Sequence, residues 1–170
     1  DWLAKVGDAG QKILDEFRAK RGSWSCQIIQ HGQGLKILET PIGRVGLAIC
    51  YDLRFPELFR LQKTSNVEIL VIPSAFTEQT GKVHWETLVK ARAIENLCYV
   101  VTSCQDGYHI SGRQTHGNSM IVNPWGQITS RLPSGSGFIE SEINLNKLNS
   151  IREKFPVLEH INLIGKKWIL

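Results

Sequence analysis

The spacing of hydrophobic and polar residues changes along the chain, and each spacing predicts a helix or a strand. Apolar residues at helical spacing over 2–17 predict an amphipathic helix that ends by Gly22. Further helices are predicted at 56–63, at 83–97 and at about 145–154. Short apolar runs without helical spacing predict strands at 26–30, 35–40, 44–49, 67–73, 98–104, 118–123, 127–132 and 137–143.

The order of these predicted elements indicates the fold class. Strand, helix and strand recur in order between 44 and 104, and the run 67–73 is apolar throughout, as in strands buried on both faces. This alternation favours an α/β fold. A loop with glycine and histidine precedes 118–123, and hairpin-like pairs follow around the Pro-Trp-Gly turn at 124–126. We therefore predict one α/β domain with a mixed sheet.

Composition and charge narrow the classes of protein and partner. The 170 residues are 42% hydrophobic and 21% charged, which is typical of a single globular domain with a sizeable core. The net charge of +4 comes from scattered lysines and arginines, so we expect a solvated basic surface and no nucleic-acid partner. No apolar run approaches the roughly 20 residues of a membrane span, and no signal peptide is visible. We expect a cytoplasmic protein that does not associate with membranes.

Cys50 is the first candidate for chemistry. The predicted strand 44–49 ends at Cys50 and runs directly into the polar stretch YDLRFPE. In open α/β sheets, sites form at the carboxyl ends of strands, and a nearby cation or oriented N–H group favours the reactive thiolate. The alternative is that Cys50 is a small buried hydrophobe and that Arg54 and Glu57 form a local ion pair. Both interpretations remain open on the residues alone.

The other cysteines and the histidines do not lie at a strand end that is followed by several charged residues. Cys26, Cys98 and Cys104 lie in or beside apolar runs, and no cysteines form a C-x-x-C pair, so we expect buried thiols in a reducing compartment. The histidines do not fall at ligand spacing with cysteine or carboxylate, so we expect neither metal nor cofactor. On the helix 83–97, Arg92 and Glu95 are spaced to form an ion pair that holds the helix in place.

Three long stretches carry a family resemblance. They are TPIGRVGLAICYDLRFPEL (40–58), IPSAFTEQTGKVHWETLVKARAIENLCYVV (72–101) and GNSMIVNPWG (117–126). Together they resemble the carbon–nitrogen hydrolases of the nitrilase superfamily, most of all the branch containing deaminated glutathione amidase and ω-amidase. The resemblance runs from about Gly32 through 156–160. It implies that 32–170 is the C-terminal portion of an α-β-β-α layered domain, preceded by a helix and strand of uncertain origin at 1–31.

The resemblance also implies a reaction and a site. The expected reaction is hydrolysis of small, linear, carboxylate-bearing amides through a cysteine thioester, with release of ammonia. Cys50 matches the nucleophile, the backbone N–H of Tyr51 matches the oxyanion donor, and Arg54 matches the arginine that binds a substrate carboxylate. The family assembles as homodimers or larger homo-oligomers, and the helix 83–97 would contribute to a subunit interface with Trp85 as an anchor.

The chain departs from the family pattern at two catalytic positions. The segments that carry the family's general-base glutamate and its lysine are not visible, and Lys20, Glu39 and Glu57 do not sit in the corresponding motifs. We therefore expect little amidase activity from this chain alone. The alternative function is a truncated, non-catalytic half-domain that folds or acts only with a partner.

Overall fold

The computed structural model describes residues 36–62, 65–110 and 112–160, so the helix predicted at 2–17 and the strand predicted at 26–30 lie outside the described residues. The strands are β1 (Lys36–Thr40), β2 (Gly43–Leu47), β3 (Ile69–Ser74), β4 (Tyr99–Cys104), β5 (Asp106–Tyr108), β6 (Gln114–His116), β7 (Ser119–Val122) and β8 (Ile128–Leu132). The α-helices longer than one turn are α1 (Pro56–Gln62), α2 (Glu86–Asn96) and α3 (Leu145–Lys154). None of the helices in these ranges has the length and hydropathy that a membrane span requires.

The main sheet is mixed, which confirms the predicted fold class. Its strand order is β1-β2-β3-β4-β7-β8. The central strands β2, β3 and β4 are parallel, whereas β1, β7 and β8 join the sheet in antiparallel pairs. The carboxyl ends of β2, β3 and β4 therefore meet at one edge of the sheet, where sites form in α/β folds.

Helices cover both faces of this sheet. Leu70 and Ile72 of β3 pack with Val89 of α2 in one cluster of buried residues. The alternate residue Ile69 packs with Leu148 of α3 in a second cluster. Successive residues of a strand point to opposite faces, so a strand between two helical layers needs apolar residues at nearly every position. This explains the continuous apolar run that predicted β3.

Two sequence predictions were wrong. The run 137–143 does not form a strand; it has no regular secondary structure, and Phe138 is 88% exposed. Its short apolar run predicts a strand, but a strand is stabilised only where a neighbouring strand pairs with its backbone hydrogen-bonding groups. Conversely, β5 and β6 pair as a short hairpin where we expected only a loop. The polar sequence of this hairpin gave no apolar signal.

Irregular helical turns connect the sheet to α1 and α2. A 3-10 turn, Cys50–Arg54, leads from β2 toward α1 and is called the Cys50 turn below. A single α-turn, Glu78–Thr80, and a π-helical turn, Gly81–Trp85, precede α2. The sequence predicted one regular helix over 83–97. The wider π-turn is a geometry that occurs often beside functional sites.

Candidate active site

Cys50 is the first residue of the Cys50 turn and lies just beyond the carboxyl end of β2. Its φ angle is +46°, in the left-handed region that non-glycine residues rarely occupy. The buried Asp52 closes the turn, since the Ile49 N–H donates to Asp52 Oδ2 at 3.0 Å. Such backbone conformations persist where the surrounding structure holds them, and they concentrate at functional sites. The fold therefore determines the position of the half-buried Cys50 thiol at this edge of the sheet.

The electrostatic setting of the thiol differs from the sequence interpretation. Burial has the largest influence and raises the pKa of Cys50 above its ordinary value of 9.0. The Ala75 N–H, Arg113 and Arg54 act in the opposite direction, whereas Asp52 adds to the rise in pKa. The expected cation and N–H donor are therefore present, but desolvation outweighs them. At neutral pH the described residues leave Cys50 mainly as a thiol, so attack requires a base.

Arg54 ends the Cys50 turn, and its guanidinium is held by three neighbours. The carbon of the guanidinium lies 5.0 Å from the centre of the Phe76 ring and 5.5 Å from that of Tyr51. Its Nη1 lies 3.3 Å from Nδ1 of His84, which the π-turn presents. Both Arg54 and Glu57 lie in the described ranges, and no ion pair joins them. The local pair proposed as a structural alternative therefore does not form.

Arg92 connects α2 to the Cys50 turn. Its Nη1 lies 2.5 Å from Glu95 Oε1, which confirms the predicted ion pair. Nε and Nη2 of the same buried guanidinium donate to the backbone carbonyl of Leu53 at 3.0 and 2.8 Å. Leu53 directly precedes Arg54. Arg92 therefore fixes the turn that carries both Cys50 and Arg54, a contact that spacing along the sequence could not predict.

Trp85 belongs to the interior of this chain. It is fully buried, its ring centre lies 4.9 Å from that of Phe76, and its Nε1–H donates to the carbonyl of Asn118 at 2.7 Å. The hypothesis that Trp85 anchors a subunit interface is therefore wrong. Instead, Trp85 supports Phe76, the ring on which Arg54 lies.

A polar cluster that sequence reasoning missed joins the turns before α2 to the small hairpin. His116 Nδ1 lies 2.7 Å from Glu78 Oε2, and His116 Nε2 lies 3.3 Å from Asn118 Nδ2. The His116 ring lies against Gly81, where an added Cβ would come within 2.2 Å of it. Gly81 is the sequence signal that could have indicated this close approach.

Arg113 reaches the site from the loop between β5 and β6. Its Nη2 donates to the carbonyl of Ala75 at 2.6 Å, and its charge acts on Cys50. The sequence does not single out Arg113, because 62 residues separate it from Cys50 and the polar sequence of its hairpin predicts a loop. Only the packing of that hairpin against the end of β3 brings Arg113 to the Ala75 carbonyl.

Cys98 and Cys104 are buried, which confirms the prediction made from their apolar surroundings in the sequence. Burial raises the pKa of Cys98 to about 12 and that of Cys104 to about 11. Cys26 lies outside the described residues. Across 36–62, 65–110 and 112–160, no group of three histidine, cysteine or acidic side chains could hold a metal ion.

The fold and the cysteine site define the class of protein. The family model for carbon-nitrogen hydrolases matches residues 11–153, and the chain belongs to this family. The match begins inside the segment 1–31 and covers both sides of the Cys50 turn.

Curated relatives carry the name deaminated glutathione amidase. The protein from Dictyostelium discoideum is 42% identical over 142 residues, which cover 83% of this chain and 49% of that protein. The Bos taurus protein is 48% identical over 123 residues, 72% of this chain and 38% of that protein. The chain therefore spans half or less of the length of these relatives.

Solved structures show the same fold. The Caenorhabditis elegans NitFhit protein is 42% identical with a TM-score of 0.75, and the match covers 82% of this chain and 34% of that one. Saccharomyces cerevisiae Nit3, a nitrilase-superfamily member, is 31% identical with a TM-score of 0.72, and the match covers 77% of this chain and 48% of that one. An amidase variant from Nesterenkonia carries the acetamide moiety of fluoroacetamide, added covalently at its active-site cysteine. It is 26% identical with a TM-score of 0.58, and the match covers 65% of this chain and 41% of that one. These neighbours confirm the predicted nitrilase-type fold.

Proposed function

We propose that this chain supplies the nucleophile and the substrate-carboxylate site of an amidase that acts on small linear amides. The observation that carries the proposal is Cys50 in a left-handed conformation at the carboxyl end of β2, with the guanidinium of Arg54 held four residues later. Family membership and the amidase relatives support amide hydrolysis as the reaction class. The Nesterenkonia amidase, which reacts at its active-site cysteine, supports a thiol nucleophile.

The proposed reaction has two steps. The Cys50 thiolate attacks the amide carbonyl, the C–N bond breaks, and the nitrogen takes a proton and leaves as ammonia. Water then attacks the resulting thioester, the C–S bond breaks, and the carboxylic acid and the thiol are released. During each attack the carbonyl oxygen becomes negative. The N–H of Tyr51 lies in the first turn after Cys50, where N–H groups lack a partner inside the helix, so it is the proposed oxyanion donor.

Arg54 is the proposed binding group for the substrate carboxylate. A guanidinium presents parallel N–H donors that match the two oxygens of a carboxylate. The rings of Tyr51 and Phe76 restrict its position, and a restricted side chain loses less entropy when the substrate binds. The substrate class that follows is an amide that carries a carboxylate.

The second candidate is a half-domain that is not catalytic alone. Two observations favour it for the isolated chain: burial raises the pKa of Cys50, and the chain spans about half of its relatives. In addition, β1 is at one edge of the sheet that the described residues form, Leu38 in it is 50% exposed, and Ile42 in the turn after it is 60% exposed. An exposed apolar strand edge is a surface that associates with other chains.

An amide-hydrolysis assay on the purified 170-residue chain separates these candidates. The substrates are α-ketoglutaramate, whose hydrolysis is measured as released ammonia, and a deaminated glutathione analogue, whose hydrolysis is measured as released amine. Cys50→Ala is the control. We expect release near background from both chains, because loss of one electrostatic donor to the oxyanion costs roughly a hundredfold in rate and loss of a general base costs a comparable factor. Robust turnover that requires Cys50 would refute the half-domain candidate.

The nucleophile is tested separately by limited reaction with iodoacetamide and mass mapping of the modified cysteines. We expect Cys50 to react first, because it is only half-buried, whereas Cys98 and Cys104 are buried. Burial raises the pKa of all three thiols, but N–H and guanidinium groups oppose the rise at Cys50, while the pKa of Cys98 reaches about 12 and that of Cys104 about 11. Faster modification of Cys26, Cys98 or Cys104 would contradict the assignment of Cys50 as the nucleophile.

A further inference from the structure

The π-turn before α2 brings a histidine to the residue proposed to bind the substrate carboxylate. His84 Nδ1 lies 3.3 Å from Arg54 Nη1, although 30 residues separate the two along the chain. We propose that His84 is a positioning residue, whose ring orients the Arg54 guanidinium so that its remaining N–H donors face a carboxylate. This inference rests on the proposed function of Arg54 and adds to it the residue that sets how well this site distinguishes an anion from a neutral group.

The chemistry of the two groups fixes the direction of this hydrogen bond. A guanidinium has N–H donors and no acceptor, and it stays protonated in proteins. Arg54 Nη1 is therefore the donor, and His84 Nδ1 accepts with its lone pair. The imidazole then carries its proton on Nε2, because a proton on Nδ1 would place an N–H group against the guanidinium. His84 is thus a neutral acceptor beside a cation.

The hydrogen bond supplies a direction that the neighbouring rings do not. The guanidinium carbon of Arg54 lies over the rings of Tyr51 and Phe76, at 5.5 and 5.0 Å from their centres. An aromatic ring attracts a cation without selecting which of its N–H groups points toward a ligand. A hydrogen bond is directional, and this one uses Nη1. The bond to His84 therefore fixes the orientation of the guanidinium, while the rings restrict its location.

The π-turn holds the backbone of His84 from both ends. At its first residue, the buried Gly81, the N–H donates to the carbonyl of Thr77 at 2.7 Å. At its last residue, the fully buried Trp85, the indole N–H donates to the carbonyl of Asn118 at 2.7 Å. His84 directly precedes Trp85, so its side chain starts from a fixed point although the residue is exposed. The acceptor is therefore preorganised, as a residue that orients another must be.

The contact with His84 leaves most donors of Arg54 open to a ligand. A guanidinium has five N–H donors, and within the described ranges Arg54 donates from Nη1 alone. No carboxylate in the same ranges forms an ion pair with it. The remaining donors can bind the two oxygens of a carboxylate through parallel hydrogen bonds. Without the His84 acceptor the guanidinium could rotate, and a bidentate contact would lose more from rotation than a contact with a neutral group would.

The test measures how strongly Cys50 of the 170-residue chain prefers an anionic alkylating reagent. Iodoacetylglycine carries one carboxylate, and iodoacetylglycinamide is its neutral equivalent of nearly the same size. Mass mapping gives the rate constant of each reagent at Cys50. The ratio of the anionic to the neutral rate constant cancels any change in thiolate fraction, because both reagents attack the same thiolate.

Four variants separate the roles of the two residues. His84→Leu removes the acceptor, whereas His84→Asn keeps one, because asparagine Oδ1 is bonded to Cγ just as histidine Nδ1 is. Arg54→Met removes the proposed carboxylate site. His160→Leu is the control for loss of an exposed histidine elsewhere in the chain. His84 is exposed as well, so neither of its substitutions removes core packing.

We expect His84→Leu to lower the ratio by about twofold to fivefold, the range for a partly exposed contact with a charged group. His84→Asn should keep most of the ratio, and His160→Leu should leave it unchanged. An unchanged ratio in His84→Leu would overturn this inference, and so would an equal loss in His84→Asn or in His160→Leu.

Arg54→Met shows whether such a failure reaches the proposed function. If this variant lowers the ratio while the two His84 variants do not differ, the carboxylate site stands and only the positioning role of His84 falls. If Arg54→Met leaves the ratio unchanged, Arg54 does not bind a carboxylate beside Cys50, and its proposed function and this inference fall together.

Discussion

Replacing Arg92 with methionine tests whether α2 holds the Cys50 turn. Methionine preserves much of the aliphatic volume of arginine but has no N–H donors. The change removes both hydrogen bonds to the carbonyl of Leu53 and the ion pair with Glu95. Glu95 keeps a neighbouring cation, because Arg60 Nη2 lies 3.9 Å from its Oε2.

The expected cost follows from the groups that lose a partner. Arg92 is 4% exposed and Leu53 is fully buried, so water does not readily replace the lost donors. A buried acceptor left without a donor costs about 1–3 kcal/mol. The guanidinium also lies 5.3 Å from the ring centre of Phe59, and such a contact contributes about 0.5–2 kcal/mol. We expect the free energy of unfolding to fall by about 2–4 kcal/mol, a large part of the stability of a small domain.

Urea unfolding followed by far-ultraviolet circular dichroism measures this change. The matched control is Arg131→Met, which removes a surface ion pair with Glu86 and should cost less than about 1 kcal/mol. Arg92→Met should also alter the rate of iodoacetamide reaction at Cys50, because the turn loses its attachment to α2. Equal stability losses in the two variants, with no change at Cys50, would refute the claim that Arg92 positions the turn.

Three further predictions address the site and its surroundings. In a complete enzyme, Arg54→Lys should slow turnover of α-keto acid amides and barely change that of neutral amides, since lysine cannot form the bidentate contact; equal losses in a comparison of kcat/KM would make Arg54 structural. Gly81→Ala should destabilise the fold, because its Cβ would lie 2.2 Å from the His116 ring, and thermal unfolding should show a lower Tm than for Gly137→Ala, whose Cβ would meet the Leu132 side chain at an ordinary 3.4 Å. Because burial raises the pKa of Cys98 to about 12 from 9.0, the unfolded state ionises first, so stability should fall as pH rises above 9.0. Cys98→Ala should reduce that fall in urea unfolding measured across this range, and an identical pH dependence would contradict the reasoning.

The sequence predicted those features that depend on local periodicity. Each of these patterns depends on the surroundings of a single segment. Examples are the apolar run before Cys50, the continuous apolar run of β3 and the helical spacing in α3, and all three elements form in the structure. The sequence pattern failed at 137–143, which pairs with no strand in the part of the chain that the structure describes, and at β5 and β6, whose pairing does not need an apolar pattern. Strand formation depends on hydrogen bonds to another segment, which local spacing does not record.

The sequence by itself determined the α/β class, the family resemblance and the candidate residues Cys50, Tyr51 and Arg54. Tertiary structure alone decided how these residues are held. Three contacts join positions that are 30 to 39 residues apart along the chain. Arg92 donates to the Leu53 carbonyl, Arg54 contacts His84, and Arg113 donates to the Ala75 carbonyl. It also decided the direction in which the pKa of Cys50 shifts, because the desolvation that raises this pKa depends on how deeply the surrounding elements bury the sulfur. Charges can be read from a sequence, but burial exists only once distant segments pack together.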